Sequence, residues 1–218
     1  MKRTPISTFL AIAACFSLWV ASAEVAHADS MTYTLTDNIQ SGCSGSTTSL
    51  CSGPFGTVTL TSAGGNVNVT EQLNSDYYFI NTGAGDSLEF NASGTVAGLP
   101  SDFTVVSSSP VTASGLGSFT QGISCTGCGP GASNVPNTPQ MLSFTVDGAT
   151  LSSFMGNQNG NYFASDIADY NPTDMMVIAT GNVGAMGTTP VVPEPATLLL
   201  FGTGLVFLLG ASRSFGLQ

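Results

Sequence analysis

Gly56-Thr57-Val58-Thr59-Leu60-Thr61 alternates polar with apolar residues, and after Ala63-Gly64-Gly65 the run Asn66-Val67-Asn68-Val69-Thr70 alternates again. A period of two sends successive side chains to opposite faces of an extended chain, and a glycine pair between two such runs suits a tight turn. The stretch therefore reads as a β-hairpin. Outward from it, short runs rich in Thr, Val, Phe and Tyr recur at Met31 to Thr36, Asp76 to Asn81, Ser87 to Asn91, Phe103 to Ser107, Ser118 to Ile123, Met141 to Asp147 and Met175 to Ala179. Turn signals such as Asn81-Thr82-Gly83 and Asp147-Gly148 separate them. Asn161 to Tyr170 is the one place in this part of the chain where a helical turn or two is expected. The spacing predicts an all-β fold, an antiparallel β-sandwich or jelly-roll-like domain over residues 29–190.

Charge narrows the function classes. Lys and Arg occur at positions 2, 3 and 213, so residues 29–192 hold eleven acids and no base. Ion pairs cannot form within that segment, and its stability must come from apolar burial, backbone pairing and disulfides. Acid should harm it less than it harms proteins whose carboxylates are paired. Nucleic acid is excluded as a partner, because phosphate contacts need Lys or Arg. Anionic polysaccharide is repelled unless a divalent cation bridges the two. Aromatic residues spread from Tyr77 to Phe163 supply the large apolar areas that a sheet core requires.

The single histidine, His27, stands near the amino end, which leaves the domain without imidazole for a Ser-His-Asp triad or a metal site. Two carboxylates can still run a glycosidase, and Glu71 and Glu89 are the two glutamates of the domain. Acids on strands usually face solvent, and that placement is expected for both. Tyr77, Tyr78 and Tyr162 are candidates for a sugar-stacking platform, though tyrosine serves equally well as core filler. Asp166, Asp169 and Asp174 with Asn171 could gather round Ca²⁺, but they lack the spacing of a calcium loop, and a solvated acidic loop is the expectation. No metal and no cofactor are predicted. Asn68-Val69-Thr70 and Asn91-Ala92-Ser93 fit the glycosylation acceptor pattern, which chance supplies often in such a composition.

Cys43, Cys51, Cys125 and Cys128 make an even set for an oxidising compartment, and two disulfides are expected. Four cysteines allow three connectivities. Pairing Cys43 with Cys51 and Cys125 with Cys128 closes two short Gly/Ser-rich loops. A redox role for Cys125-Thr126-Gly127-Cys128 would need a helix amino terminus, which Gly127, Gly129, Pro130 and Gly131 disfavour.

Both ends carry address labels. Met1-Lys2-Arg3, the apolar run Phe9 to Ala21 and Ala26-His27-Ala28 have the order of a secretory signal peptide, residues 1–28, with signal peptidase cutting after Ala28. At the other end stand Val192-Pro193-Glu194-Pro195-Ala196-Thr197, an uncharged apolar stretch through Ala211, and Arg213. That stretch, about 196–211, is near the lower limit for a single transmembrane helix, with Arg213 on the cytoplasmic side. Pro193 and Pro195 keep Glu194 on extended backbone just before it.

Residues 191–218 resemble the PEP-CTERM sorting tail. The order Pro-Glu-Pro, short hydrophobic helix, basic end is what carries the resemblance, and the lone Arg213 departs from the several basic residues usual there. The resemblance implies export from a Gram-negative bacterium, transient anchoring in the inner membrane, and processing by an exosortase. It also implies a structural, adhesive, biofilm or floc-forming role at the cell surface or in the extracellular polysaccharide matrix. A carbohydrate-binding module is the alternative, and a two-carboxylate glycan hydrolase a further one; the protein is not expected to be an enzyme.

Overall fold

A computed structural model of the chain describes residues 29–38, 49–51, 53–128, 135 and 137–187. Gly64 and Gly65, at φ of 59° and 92°, join β3 (Gly56–Ala63) to β4 (Asn66–Leu73) in the hairpin read from the alternation. A side chain other than Asn or Asp at two successive positive φ values would strain the backbone, which is why glycine stands there. The apolar phase of the pair, Val58 and Leu60 with Val67, Val69 and Leu73, is buried. The hairpin is the middle of a five-stranded antiparallel sheet. Its order is β1 (Ser30–Leu35), β3, β4, β12 (Met141–Asp147) and β7 (Thr95–Ala97).

The second antiparallel sheet runs β2 (Asp37–Asn38), β14 (Met176–Met186), β13 (Asn161–Asn171), β6 (Leu88–Phe90), β11 (Gln121–Cys125) and β8 (Phe103–Val105), with β5 (Tyr77–Phe79) also paired to β13. Leu60, Val69 and Phe144 of the first sheet share one buried cluster with Leu88, Phe90 and Phe163 of the second. The two sheets thus pack face to face on a common apolar core, the arrangement that lets each bury one face. Ring contacts bind the layers: Phe90 lies 5.8 Å from Phe144 and 5.7 Å from Phe154. The opposite face of the first sheet presents hydroxyls, with Thr32 3.3 Å from Thr59 and Thr70 3.2 Å from Ser143.

β9 (Val111–Ala113) and β10 (Gly117–Phe119) form a separate two-stranded hairpin. Val111, Leu116 and Phe119 of this flap pack with Ala164 of β13. Ala164 alternates with Phe163, a core residue, so the flap covers the outer face of the second sheet and makes a third layer there.

Three expectations are corrected. Asn161 to Tyr170 is strand, with no helical turn. As a central strand buried on both faces it loses the polar/apolar alternation, and its small residues make room for the flap. Ser118 to Ile123 is not one strand, for Phe119 ends β10 and Gln121 begins β11. Of Met175 to Ala179, Met175 lies in the turn at φ 52° and Met176 begins an eleven-residue β14. Among the described residues no helix is long and apolar enough to cross a membrane, and the predicted span 196–211 lies outside them.

Candidate functional site

The expectation that Glu71 and Glu89 face solvent is overturned, for both are fully buried. On β4, Glu71 falls in phase with Val67, Val69 and Leu73, so its carboxyl points between the sheets. Burial pushes its pKa well above the usual carboxylate range, which favours the neutral acid. Its oxygens fall outside hydrogen-bond geometry, with Ser165 of β13 as the polar neighbour across the core. The Ser165 hydroxyl already donates to the Ser87 carbonyl at 2.7 Å. Toward Glu71 it can therefore offer only a lone pair, which a protonated carboxyl can use and a carboxylate cannot.

Glu89 belongs to the opposite face. Its neighbours Leu88 and Phe90 are in the core, so by strand alternation Glu89 points outward, beneath the flap. The Asp86 amide donates to its Oε1 at 3.0 Å, and the nearby Ala113 amide of the flap favours the charged carboxyl. Asp166, on the same outer face, receives the Thr82 amide at 2.9 Å and the Thr82 hydroxyl on Oδ2. Asp166 also donates its own amide to the Asp86 carbonyl at 3.0 Å. Asn182 stands opposite Asp166 in the β13–β14 register and donates to the carbonyls of Ala84 and, at 3.4 Å, Ser114. Glu89 Oε2, Asp166 Oδ1 and Asn182 Oδ1 are buried without a hydrogen-bond partner. Burial raises Glu89 to about 7, with Asp86 and Asp166 adding repulsion, and raises Asp166 to about 6, with Asp86 adding repulsion. Asp86 is half-buried; burial raises its pKa too, and the Ser124 hydroxyl draws it part of the way back.

Glycines make the space. Gly122 stands opposite Glu89 in the β11–β6 register, and a Cβ there would lie 2.9 Å from Asp86 Oδ2. A Cβ at Gly85 would lie 2.6 Å from Asn182 Oδ1, and one at Gly184 would lie 3.2 Å from Leu116 of the flap. The phase of Glu71 was readable by counting two residues on from Val69. The cluster beneath the flap had no such signal, because it joins the 82–86 loop to three strands distant in sequence.

The structure does not bring the other predicted groups together. Glu71 and Glu89 lie on opposite sides of the second sheet, too separated by backbone to serve one glycosidic bond. Tyr77 and Tyr78 are adjacent on β5 and pack into different clusters: Tyr77 meets Phe55 at 5.4 Å and Tyr78 meets Tyr170 at 5.9 Å. Tyr162 stacks on Tyr33 at 5.0 Å. No shared stacking platform results. Asp166 and Asp169 are buried on β13, whereas Asp174 sits in the exposed turn that follows, accepting from the Asn171 amide at 2.7 Å. The Asp174 amide turns back to the Asn171 oxygen at 3.4 Å. Among the described residues no group of three or more His, Cys, Asp or Glu is arranged to hold a metal ion.

Cys125 and Cys128 are joined in a disulfide, with Cα atoms 5.4 Å apart, and both are buried. The Cys125 amide donates to Ser87 Oγ at 3.0 Å. Cys51 is disulfide-bonded as well, while Cys43, its expected partner, lies outside the described residues. Ala26, Ala28, the segment Val192, Pro193, Glu194, Pro195, Ala196 and Thr197, and Arg213 also lie outside them.

No curated protein and no solved structure matches the chain. A family model for the PEP-CTERM protein-sorting motif matches residues 191–214, the span that holds the Pro-Glu-Pro signature, the apolar stretch and Arg213. The chain carries a PEP-CTERM protein-sorting motif, as a protein sorted by an exosortase does.

Proposed function

We propose that the chain is an exported protein that an exosortase delivers to the cell surface or extracellular matrix, where its β domain is a structural or adhesive component and not an enzyme. The observation that carries this reading is the sorting motif at residues 191–214, on the same chain as an antiparallel β domain. The signal peptide 1–28, cut by signal peptidase after Ala28, starts export. The apolar stretch 196–211 holds the chain in the inner membrane of a Gram-negative cell until the tail is processed. Extracellular polysaccharide is the surrounding we assign to the released domain, in a biofilm or floc. Catalysis by Glu71 with Glu89 is disfavoured by the sheet between them, and sugar binding on a tyrosine platform by the dispersal of Tyr77, Tyr78 and Tyr162.

Replacing Pro193, Glu194 and Pro195 by alanine tests the assignment in cells that hold an exosortase. The altered chain is expected to stay cell-associated and unprocessed while the natural one reaches the matrix fraction. Equal delivery of both chains to the matrix would refute the reading.

A further inference from the structure

We propose that Met141, Met155, Met175, Met176 and Met186 make an oxidant-consuming surface: five solvent-facing thioethers that take up oxygen from hydrogen peroxide or a hypohalous acid as sulfoxides while the fold beneath them stays intact. The exposed large apolar side chains of the described residues are these five methionines, Val105 and Ile178. No Leu and no Phe of the described residues joins them, although both types fill the core. A single exposed apolar side chain needs no explanation, but methionine is ordinarily buried much as leucine is. Apolarity alone would have sorted the two types alike. The property that separates them is the sulfur, soft, polarisable and open to oxidation.

Of the seven methionines, Met1 lies outside the described residues, and five of the other six are between 49 % and 77 % exposed. The sixth, Met31, packs half-buried against the core, with its sulfur 4.0 Å from the Tyr33 hydroxyl. The five stand where an added oxygen meets water. Met141 opens β12 on the hydroxyl-bearing face of the first sheet, opposite Gln72. Met155 follows Phe154 at the bridge to Asn91, and Met186 closes β14. Met175 and Met176 are adjacent at the β13–β14 turn, and Met175, the most exposed of the five, holds a φ of 52°. Glycine or asparagine is the usual occupant of such a position, so neither packing nor backbone preference accounts for a methionine there.

Few side chains compete for the oxidant. Cys51, Cys125 and Cys128 are already disulfide-bonded, and residues 29–192 contain neither Trp nor His. Oxidation of the thioethers therefore leads. A sulfur lone pair attacks one peroxide oxygen, and the S–O bond forms as the O–O bond breaks. The departing hydroxide takes the proton left on the transferred oxygen and leaves as water. The sulfur loses two electrons and the peroxide gains them. In a core the new polar oxygen would disrupt packing, whereas on an exposed side chain it is solvated and leaves the contacts of the fold as they were. Sulfoxide reductases reverse the step, so the surface is renewable where they are present.

Peptide mass mapping of the full chain, solubilised in detergent and treated with hydrogen peroxide at neutral pH, tests this directly. Each of the five is expected to gain one oxygen at a rate within a few-fold of that of a free methionine peptide. Met31, which needs a local opening, is expected to react about tenfold more slowly or slower still. Once all five are sulfoxides, the circular dichroism spectrum is expected to be unchanged and the thermal midpoint to have moved by no more than about 5 °C. With less than one equivalent of peroxide per chain, the oxidised fraction of Met31 is expected to be several-fold higher in the variant M141L/M155L/M175L/M176L/M186L than in the natural protein. Oxidation of the five no faster than that of Met31 would overturn the proposal, and so would loss of structure in step with their oxidation; neither result depends on the variant folding. Slow oxidation of Met175 and Met176 in protein left in the extracellular matrix, with fast oxidation after purification, would show a partner covering the pair and overturn it as well.

Discussion

Glu71 and Glu89 are withdrawn from water in a segment with no positive side chain, so the proton decides how costly each is. For Glu89 the folded value of about 7 stands above the ordinary glutamate value of 4.5. The stability linked to it is therefore complete below about 4.5 and is lost as pH rises through 7. At 1.36 kcal/mol per unit the loss is about 3 kcal/mol at most. Urea unfolding at pH 5 and pH 8 is expected to show a less stable protein at pH 8, with the gap narrowed in Glu89→Gln; equal stability at both pH values in the natural protein would count against burial of this group. Glu71 makes a companion case. Glu71→Gln, which keeps the shape without the titration, is expected to change stability at pH 7 by about 1 kcal/mol or less. Glu71→Lys buries an unpaired cation in the core and is expected to prevent folding, as circular dichroism would report. The alternation Val67-x-Val69-x-Glu71 already put this carboxyl on the core side. What hid its burial was the ordinary rule that acids face water, a rule this chain relaxes by holding the acid neutral.

At the scale of elements, the turn at Gly64-Gly65 was fully legible, since period-two runs on either side of a glycine pair leave little choice. Asn is the residue that best tolerates the first of two positive φ values. Gly64→Asn is expected to stabilise the domain by about 0.4–1 kcal/mol, by narrowing the unfolded ensemble, and thermal unfolding would register it as a rise in midpoint. A fall in midpoint would mean that the turn is not of the two-residue type. β13 was illegible for the opposite reason. Its outer face carries Ala164, Asp166 and Ala168, small or polar residues that usually mark a solvent face or a helix; here Ala164 lies under the flap, Asp166 under Thr82, and Ala168 against Ile80, Val135 and Tyr170. Local pattern cannot announce a third layer that arrives from elsewhere in the sequence. The short strands β7 and β9 escaped notice in the same way, each being three residues held by partners distant in sequence or by its own small hairpin.

For the molecule as a whole, composition and the two ends said most about destination, and the middle said most about fold. The absence of bases between residues 29 and 192 was visible at once, as were the sheets; the pairing order of the strands was not, because antiparallel runs of similar composition can be joined in many orders. The candidate carboxyls were expected at the surface and are buried, and their separation by a sheet could come only from the fold. The sorting motif at residues 191–214 links this domain to a route out of the cell. Intact-mass analysis of the material recovered outside cells with and without an active exosortase tests that link most directly. The account predicts a chain trimmed at both ends, near Ala28 and near Pro193, when the exosortase is active, and a chain still bearing its carboxy-terminal tail when it is not. Recovery of the same untrimmed carboxy terminus from both strains would contradict it.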